Sequence, residues 1–460
     1  MGIDLTQPVS VHVVGVGGAG MGAIASVLAA MGHRVSGSDL KETAPLERLR
    51  AQGVTVHVGH DAAHVGEVDA VAVSTAVPPN NPEVRAAQER GIQVLRRAEI
   101  LTAIAATRRT LAVSGTHGKT TTSSMLALVL VEAGVRPSFI VGGELNEIGG
   151  GAVWSDGEWF VVEADESDGT FVELGADQVI VTSVEADHLD YYGDLAGVEA
   201  AFDRFVGDAP GPNLVCADEP GAARLGARHG ARTYGTDPSA DYVIIDPVTG
   251  RSSSSFGLAH RGDVLGRVEL PVPGLHNVRN AAGAIAAAMQ VGASFEHGQA
   301  ALSRYAGVAR RFQFRGEAAG ITVVDDYAHN PGKVRAVLAA AAAGGWGRVV
   351  AVFQPHRYSR TQDLHLEFGD SFVDADVVVL TDVYAAGELP RPGVTGKLLV
   401  NAVLDAHPRS RVVWLPRRED LVPFLAHELR AGDLCLTLGA GDITSLPDEL
   451  LARLEGRAGR

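Results

Sequence analysis

The sequence predicts an α/β protein of three consecutive domains. A Rossmann-like domain is expected over residues 1–107, a central phosphate-loop α/β domain over 108–308, and a second Rossmann-like α/β domain over 309–460. Three observations point there. Apolar runs of strand length alternate with helix-like stretches, the rhythm of parallel sheets covered by helices. Two glycine-rich turns, Gly15–Gly20 and Gly115–Gly118, each stand between an apolar run and a helix. In the last third, each apolar run ends in a polar cluster, so the clusters collect at one sheet edge. A length of 460 residues suits two to four domains of about 100–200 residues.

Composition narrows the setting. The apolar fraction is 46 %, ample for several cores. No apolar run reaches membrane-spanning length. The start, Met1-Gly2-Ile3-Asp4-Leu5, lacks the basic and apolar regions of a secretory leader. Cys216 and Cys435 are far apart and form no metal or disulfide pattern, so a reducing cytoplasm is expected. The net charge of −16 and the lack of basic runs argue against nucleic acid as a partner. Lysine is scarce, confined to positions 41, 119, 333 and 397.

In order along the chain, residues 9–16 form an apolar run followed by Gly15-Val16-Gly17-Gly18-Ala19-Gly20 and a small-residue helix. The next strand ends at Asp39. This is the G-x-G-x-x-G fingerprint with an acid about 20 residues on. Gly17, Gly18, Ala19, Gly20 and Asp39 are therefore candidate contacts to a nucleotide or nucleotide sugar. So are Ser74 and Thr75, at the end of the strand Ala70–Ser74. The competing explanation is that the glycines serve helix–strand packing alone.

The central stretch, Arg109–Ser124, passes from an apolar strand through Gly115-Thr116-His117-Gly118 to Lys119, Thr120 and Thr121 at a helix start. Backbone N–H groups there face an anion, Lys119 reaches the outer phosphates, and the Thr120 hydroxyl meets Mg²⁺. The turn is shorter than the common phosphate-loop spacing. The reading is that the chain spends ATP. Two further strands end in acids, one at Glu163-Ala164-Asp165-Glu166 and one at Glu185-Ala186-Asp187-His188. Thr120, Glu163 and His188 are candidate Mg²⁺ ligands, with the imidazole the less usual donor. Asn277 and Asn280 open an alanine-rich helix and can read a base edge. Capping by Asn277 explains that residue equally well.

In the last third, Arg311 is placed to clamp a γ-phosphate. The strand at 321–324 leads into Asp325-Asp326-Tyr327-Ala328-His329-Asn330-Pro331, and the strand at 349–353 into Gln354-Pro355-His356-Arg357-Tyr358-Ser359-Arg360.

Together these motifs resemble the Mur ligase family of peptidoglycan precursor synthesis, in family order and over essentially the whole chain. Gly15–Met21 and Phe353–Arg360 look like the branch that adds L-alanine to UDP-N-acetylmuramate. The resemblance implies ATP and Mg²⁺ as cofactors, a cytoplasmic enzyme serving cell-wall growth, cell shape and division, and an acyl-phosphate intermediate. It implies Lys119, His188 and Arg311 in catalysis. It places Thr120, Glu163 and His188 on the metal, Asn277 and Asn280 on adenine, and Asp326 on ribose. Arg357 and Arg360 would take the alanine carboxylate, with Tyr327, His329 and His356 shaping that pocket. Sibling ligases bridge a second metal with a carbamylated lysine. This chain has no lysine from 120 to 332, so a second metal would need another group, for which Asp203 is a candidate. Rival readings are a ligase that recycles whole peptides, an NAD-dependent oxidoreductase using the first glycine turn, and a non-catalytic ATP-binding scaffold.

Overall fold

The computed structural model describes residues 3–458 other than Thr75, Asn146, Glu147, Gly149, Ala306, Val308, Ala309 and Arg311. The chain forms two compact units, residues 1–248 with 252–306, and residues 249–251 with 307–460. Among the described residues there are three sheets, two in the first unit and one in the second.

The first sheet has five parallel strands, in the spatial order Thr55–Val58, Arg34–Asp39, Ser10–Val14, Ala70–Val73, Gln93–Arg96. Chain order reverses between Ser10–Val14 and Ala70–Val73. Ligands of open α/β sheets bind outside the strand ends at such a point. Gly15 follows one of these strands and Ser74 the other, so sequence and topology pick the same spot.

The second sheet has ten strands, ordered Asp263–Leu270, Ser254–His260, Tyr242–Thr249, Arg232–Gly235, Leu214–Cys216, Gln178–Val181, Arg109–Ser114, Trp159–Glu163, Ser138–Leu145, Gly150–Val153. Its middle is parallel, and both edges finish in an antiparallel pair. Arg109–Ser114 lies between Gln178–Val181 and Trp159–Glu163, the two strands that lead into acids. Its helix, Lys119–Glu132, is buried from Thr122 to Leu130 and packs on the alanine-rich helix Leu275–Gln290. Small side chains let the two helices approach closely. The buried hydroxyls of Ser123 and Ser124 donate back to the Lys119 and Thr120 carbonyls, so burial leaves them satisfied.

The third sheet runs Gln313–Ala318, Ile321–Asp326, Asp433–Leu438, Arg348–Phe353, Val377–Leu380, Val412–Trp414. The expectation of a wholly parallel sheet needs one correction, because Gln313–Ala318 is antiparallel to Ile321–Asp326. The cause is the two-residue link Ala319-Gly320, with φ of 53° and 72°. Positive φ at both positions gives the tight hairpin turn that a parallel pair cannot use. Both cysteines are free and buried in central strands, Cys216 in the second sheet and Cys435 in the third. Burial pushes their thiols up to about 11 and about 12. No helix among the described residues is long and apolar enough to cross a membrane.

Candidate functional site

The phosphate loop is braced from the neighbouring strand end. Thr116 N–H donates to Ser183 O at 3.1 Å, and His117 N–H to Ser183 Oγ at 3.0 Å. Thr116 Oγ1 accepts from Glu185 N–H at 2.9 Å, and Thr182 Oγ1 donates to the His117 carbonyl. The turn needs its glycines. Gly115 has φ +135° and Gly118 φ +80°. A Cβ on Gly115 would stand 2.1 Å from Thr182 Oγ1, and one on Gly118 would stand 2.5 Å from Asn280 Oδ1. That second distance sets the Asn280 side chain against the loop.

Lys119 and Thr120 then meet two carboxylates at and just beyond the end of the adjacent strand Trp159–Glu163. Lys119 Nζ lies 2.8 and 2.6 Å from the Glu166 oxygens and donates to Gly115 O at 2.7 Å. Thr120 Oγ1 donates to Glu163 Oε1 at 3.0 Å, while Glu163 Oε2 accepts from Gly142 N–H at 2.8 Å. A hydroxyl and a carboxylate side by side fit Mg²⁺, which takes few protein ligands and completes its shell with phosphate oxygens and water. Among the described residues no group of three or more His, Cys, Asp or Glu side chains is arranged to hold a metal alone. His188, in the left-handed region at φ 54°, brings Nε2 to 3.9 Å from Glu166 Oε1 and 3.8 Å from Asp187 Oδ2. It thus neighbours the lysine's partner. Thr121 is half-buried in the first helical turn. Asn277 is buried and donates through Nδ2 to Pro273 O at 2.7 Å, so it does local structural work. Asp203 is engaged by Arg228 at 2.9 Å and His229 at 3.0 Å on the helix Pro220–His229.

At the first glycine turn, Gly15 and Val16 N–H groups donate to Ser38 O, and Gly17 N–H to Asp39 Oδ2 at 2.9 Å. Gly18 precedes the helix that begins at Ala19. Ser74 Oγ would lie 4.0 Å from a Cβ on Gly15; Thr75 lies outside the described residues. Sequence reasoning missed Arg97. A Cβ on Gly20 would come 2.9 Å from Arg97 Nε, a buried donor without a hydrogen-bond partner among the described residues. A guanidinium held against a helix N-terminus suits an anion. In the sequence it is masked by Arg96 beside it.

In the second unit, Asp326 is 3 % exposed and accepts from Phe312 N–H and Ala328 N–H, each at 2.7 Å. Arg311 lies outside the described residues. Arg310 places its guanidinium 4.8 Å over the Tyr327 ring. Tyr327, His329, His356 and Tyr384 follow ring to ring at 5.1, 5.8 and 5.8 Å. Arg360 NH1 is 3.2 Å from His356 Nδ1. Burial, then the Arg360 charge, lowers His329 to about 3 and His356 to about 4. Both rings are neutral at pH 7, so arginine supplies the positive charge there. Arg357 opens the helix Tyr358–Leu364 at φ 70°, with its N–H on Tyr384 O at 2.9 Å and its side chain exposed.

Known proteins resemble this chain throughout. Family models match in sequence: "Mur ligase family, catalytic domain" over residues 10–109, "Mur ligase middle domain" over 113–288, and "Mur ligase, glutamate ligase domain" over 310–441. A UDP-N-acetylmuramate–L-alanine ligase of Pelotomaculum thermopropionicum is 46 % identical over 450 residues, covering 97 % of each chain. The crystal structure of a UDP-N-acetylmuramate-alanine ligase from Thermotoga maritima is similar with a TM-score of 0.80 at 28 % identity, over 98 % of this chain and 100 % of that one. A murein peptide ligase from Psychrobacter arcticus gives a TM-score of 0.72 at 26 % identity, over 97 % and 99 %. With its phosphate loop set between two acid-ended strands, and with relatives that match it from end to end, the chain belongs to the Mur ligase family.

Proposed function

We propose that the chain joins L-alanine to the lactyl carboxylate of UDP-N-acetylmuramate, at the cost of one ATP, in peptidoglycan precursor synthesis. The observation that carries this is the Lys119, Thr120, Glu163 and Glu166 constellation at the end of strand Arg109–Ser114. It sits in a chain alike over 97 % of its length to an alanine-adding ligase.

A carboxylate acylates nothing until one oxygen becomes a leaving group. In the proposed first step, a lactyl carboxylate oxygen attacks the γ-phosphorus of ATP and the bond to ADP breaks, leaving an acyl phosphate. The alanine amine, in its neutral form, then attacks the acyl carbon; the C–N bond forms, the C–O bond electrons leave with inorganic phosphate, and the proton shed by the nitrogen goes to that phosphate. Lys119 would leave Glu166 to follow the transferring phosphoryl group, where neutralising charge is the main task. Bound Mg²⁺, held by Thr120 and Glu163 with His188 as a further candidate, would add to that neutralisation. Asn280, and Asn277 behind it, would face adenine. Asp326 would serve ribose and Arg311 the γ-phosphate. Arg360 and Arg357 would fork onto the alanine carboxylate beside neutral His329 and His356, with Tyr327 lining the pocket. The glycine turn, Asp39, Ser74, Thr75 and Arg97 would hold the nucleotide sugar. The reaction belongs in the cytoplasm, where it would serve cell shape and division.

The test is phosphate release with ATP, Mg²⁺, UDP-N-acetylmuramate and each amino acid in turn. Alanine should give the highest rate. Equal rates with glycine and serine would sink the alanine assignment, and preference for a tripeptide would move the chain to the recycling reaction.

A further inference from the structure

The first sheet carries a side-chain cluster that the chemistry above leaves unused. Glu83, in the first turn of helix Pro82–Glu89, is 0 % exposed. A carboxylate so placed needs donors. Ser38 Oγ donates to Oε2 at 2.6 Å, His60 Nδ1 lies 2.8 Å from the same oxygen, and His64 Nδ1 lies 3.0 Å from Oε1. His12, fully buried, brings Nε2 to 3.7 Å of Oε1 and has Nδ1 2.9 Å from Ser36 Oγ. His57 stacks on His64 with centroids 4.3 Å apart. Burial works to raise the Glu83 carboxyl, but hydrogen bonds from Ser38, His60 and His64, with the His12 imidazole close by, outweigh it and hold the group at about 2.

The donors come from separate pieces of one sheet edge. Ser38 is the penultimate residue of the strand Arg34–Asp39, His60 follows Thr55–Val58, and His64 sits in the short turn Ala62–His64. Glu83 itself follows the loop after Ser74, and Asn81 Oδ1 accepts its N–H at 2.9 Å. Ser38 is also the residue whose carbonyl takes the Gly15 and Val16 N–H groups, at 2.8 and 3.0 Å. One buried charge therefore ties the glycine turn to the facing loop.

We propose that Glu83 is the positioning residue of the nucleotide-sugar site, holding the glycine turn and the loop segment 76–81 in binding register through Ser38, His60, His64 and Asn81. This rests on assigning the glycine turn to the nucleotide sugar. A glutamine at 83 keeps the shape but offers one acceptor oxygen, and it turns an NH₂ toward a donor. The loops then have to be ordered at the moment of binding, which costs affinity. The phosphate loop, braced from Thr182, Ser183 and Glu185, has no bond to this cluster among those described.

The experiment uses the full chain. UDP-N-acetylmuramate binding by calorimetry and steady-state kinetics are measured for the native protein, Glu83→Gln and Ser38→Ala, with circular dichroism to verify folding. Glu83→Gln should raise Kd and KM for the nucleotide sugar roughly tenfold or more, the scale of a lost hydrogen bond to a charge. The KM for ATP and the saturated kcat should stay within about twofold. Ser38→Ala should move the same constants less, and it carries the test if Glu83→Gln does not fold. An unchanged nucleotide-sugar KM overturns the proposal, and so does an equal rise in both KM values, which would mark general loosening. Weaker binding after EDTA, or tighter binding with Zn²⁺, would overturn the hydrogen-bonded hub in favour of a metal centre. A native protein that binds ATP but not the nucleotide sugar would overturn the functional reading along with this one.

Discussion

The two glycine turns of the first unit share a plan and differ in charge. Each follows a buried strand, opens a helix and sits where the order of its sheet reverses. Around Gly115–Gly118 stand a lysine, a hydroxyl and two carboxylates, all within 3.0 Å of a partner. Around Gly15–Gly20 stand one carboxylate that binds the turn itself and one arginine beside it. The backbone alone makes a place for an anion. The charges next to each turn differ, and the roles proposed for the two turns rest on that difference.

That contrast is open to test, and the largest effect is expected from the cations. Lys119→Ala should lower kcat by about 10²–10³-fold, the scale of removing one preorganised transition-state donor. Arg97→Ala should instead raise KM for the nucleotide sugar and leave saturated kcat nearly intact; rapid-quench and steady-state kinetics separate the two. If Arg97→Ala fell mainly on kcat, the first turn would be more than a holder. Chelating Mg²⁺ should abolish phosphate release while calorimetry still records nucleotide-sugar binding, because Thr120 and Glu163 belong to the second turn only. The last tests concern the backbone and are read on stability. Gly115→Ala meets Thr182 Oγ1 at 2.1 Å and Ser183 N at 2.8 Å with φ +135°. It should destabilise by about 2–5 kcal/mol through combined strain and overlap. Gly17→Ala meets the end of the Asp39 side chain at 2.8 Å without a positive φ, and should cost less than about 1 kcal/mol. Urea unfolding measures both.

Much of this was readable from the residues. Parallel strands buried on both faces appear as unbroken apolar runs, and a glycine turn before a helix is a local signal. Strand order along the chain also placed Glu163 near Thr120, because parallel strands of such a sheet deliver their C-terminal ends to one edge. What escaped depends on contacts between distant segments. Nothing local says that Glu166 rather than a phosphate lies on Lys119, or that Arg97 and not Arg96 turns inward to Gly20. His12, His57, His60 and His64 read as scattered imidazoles until the helix bearing Glu83 packs over them. The resemblance put Asp326 on ribose; that two backbone N–H groups occupy its oxygens is a bond pattern set by how the chain returns at Phe312.

The two buried thiols give each unit its own reporter. Cys216 is 1 % exposed and Cys435 0 %, and both have a raised thiol pKa, so neither offers a thiolate to a reagent at neutral pH. Alkylation can proceed only when the surrounding sheet opens. Pulse labelling in rising denaturant, with the two modified peptides counted separately by mass spectrometry, therefore reads the opening free energy of each unit in one sample, without an added probe.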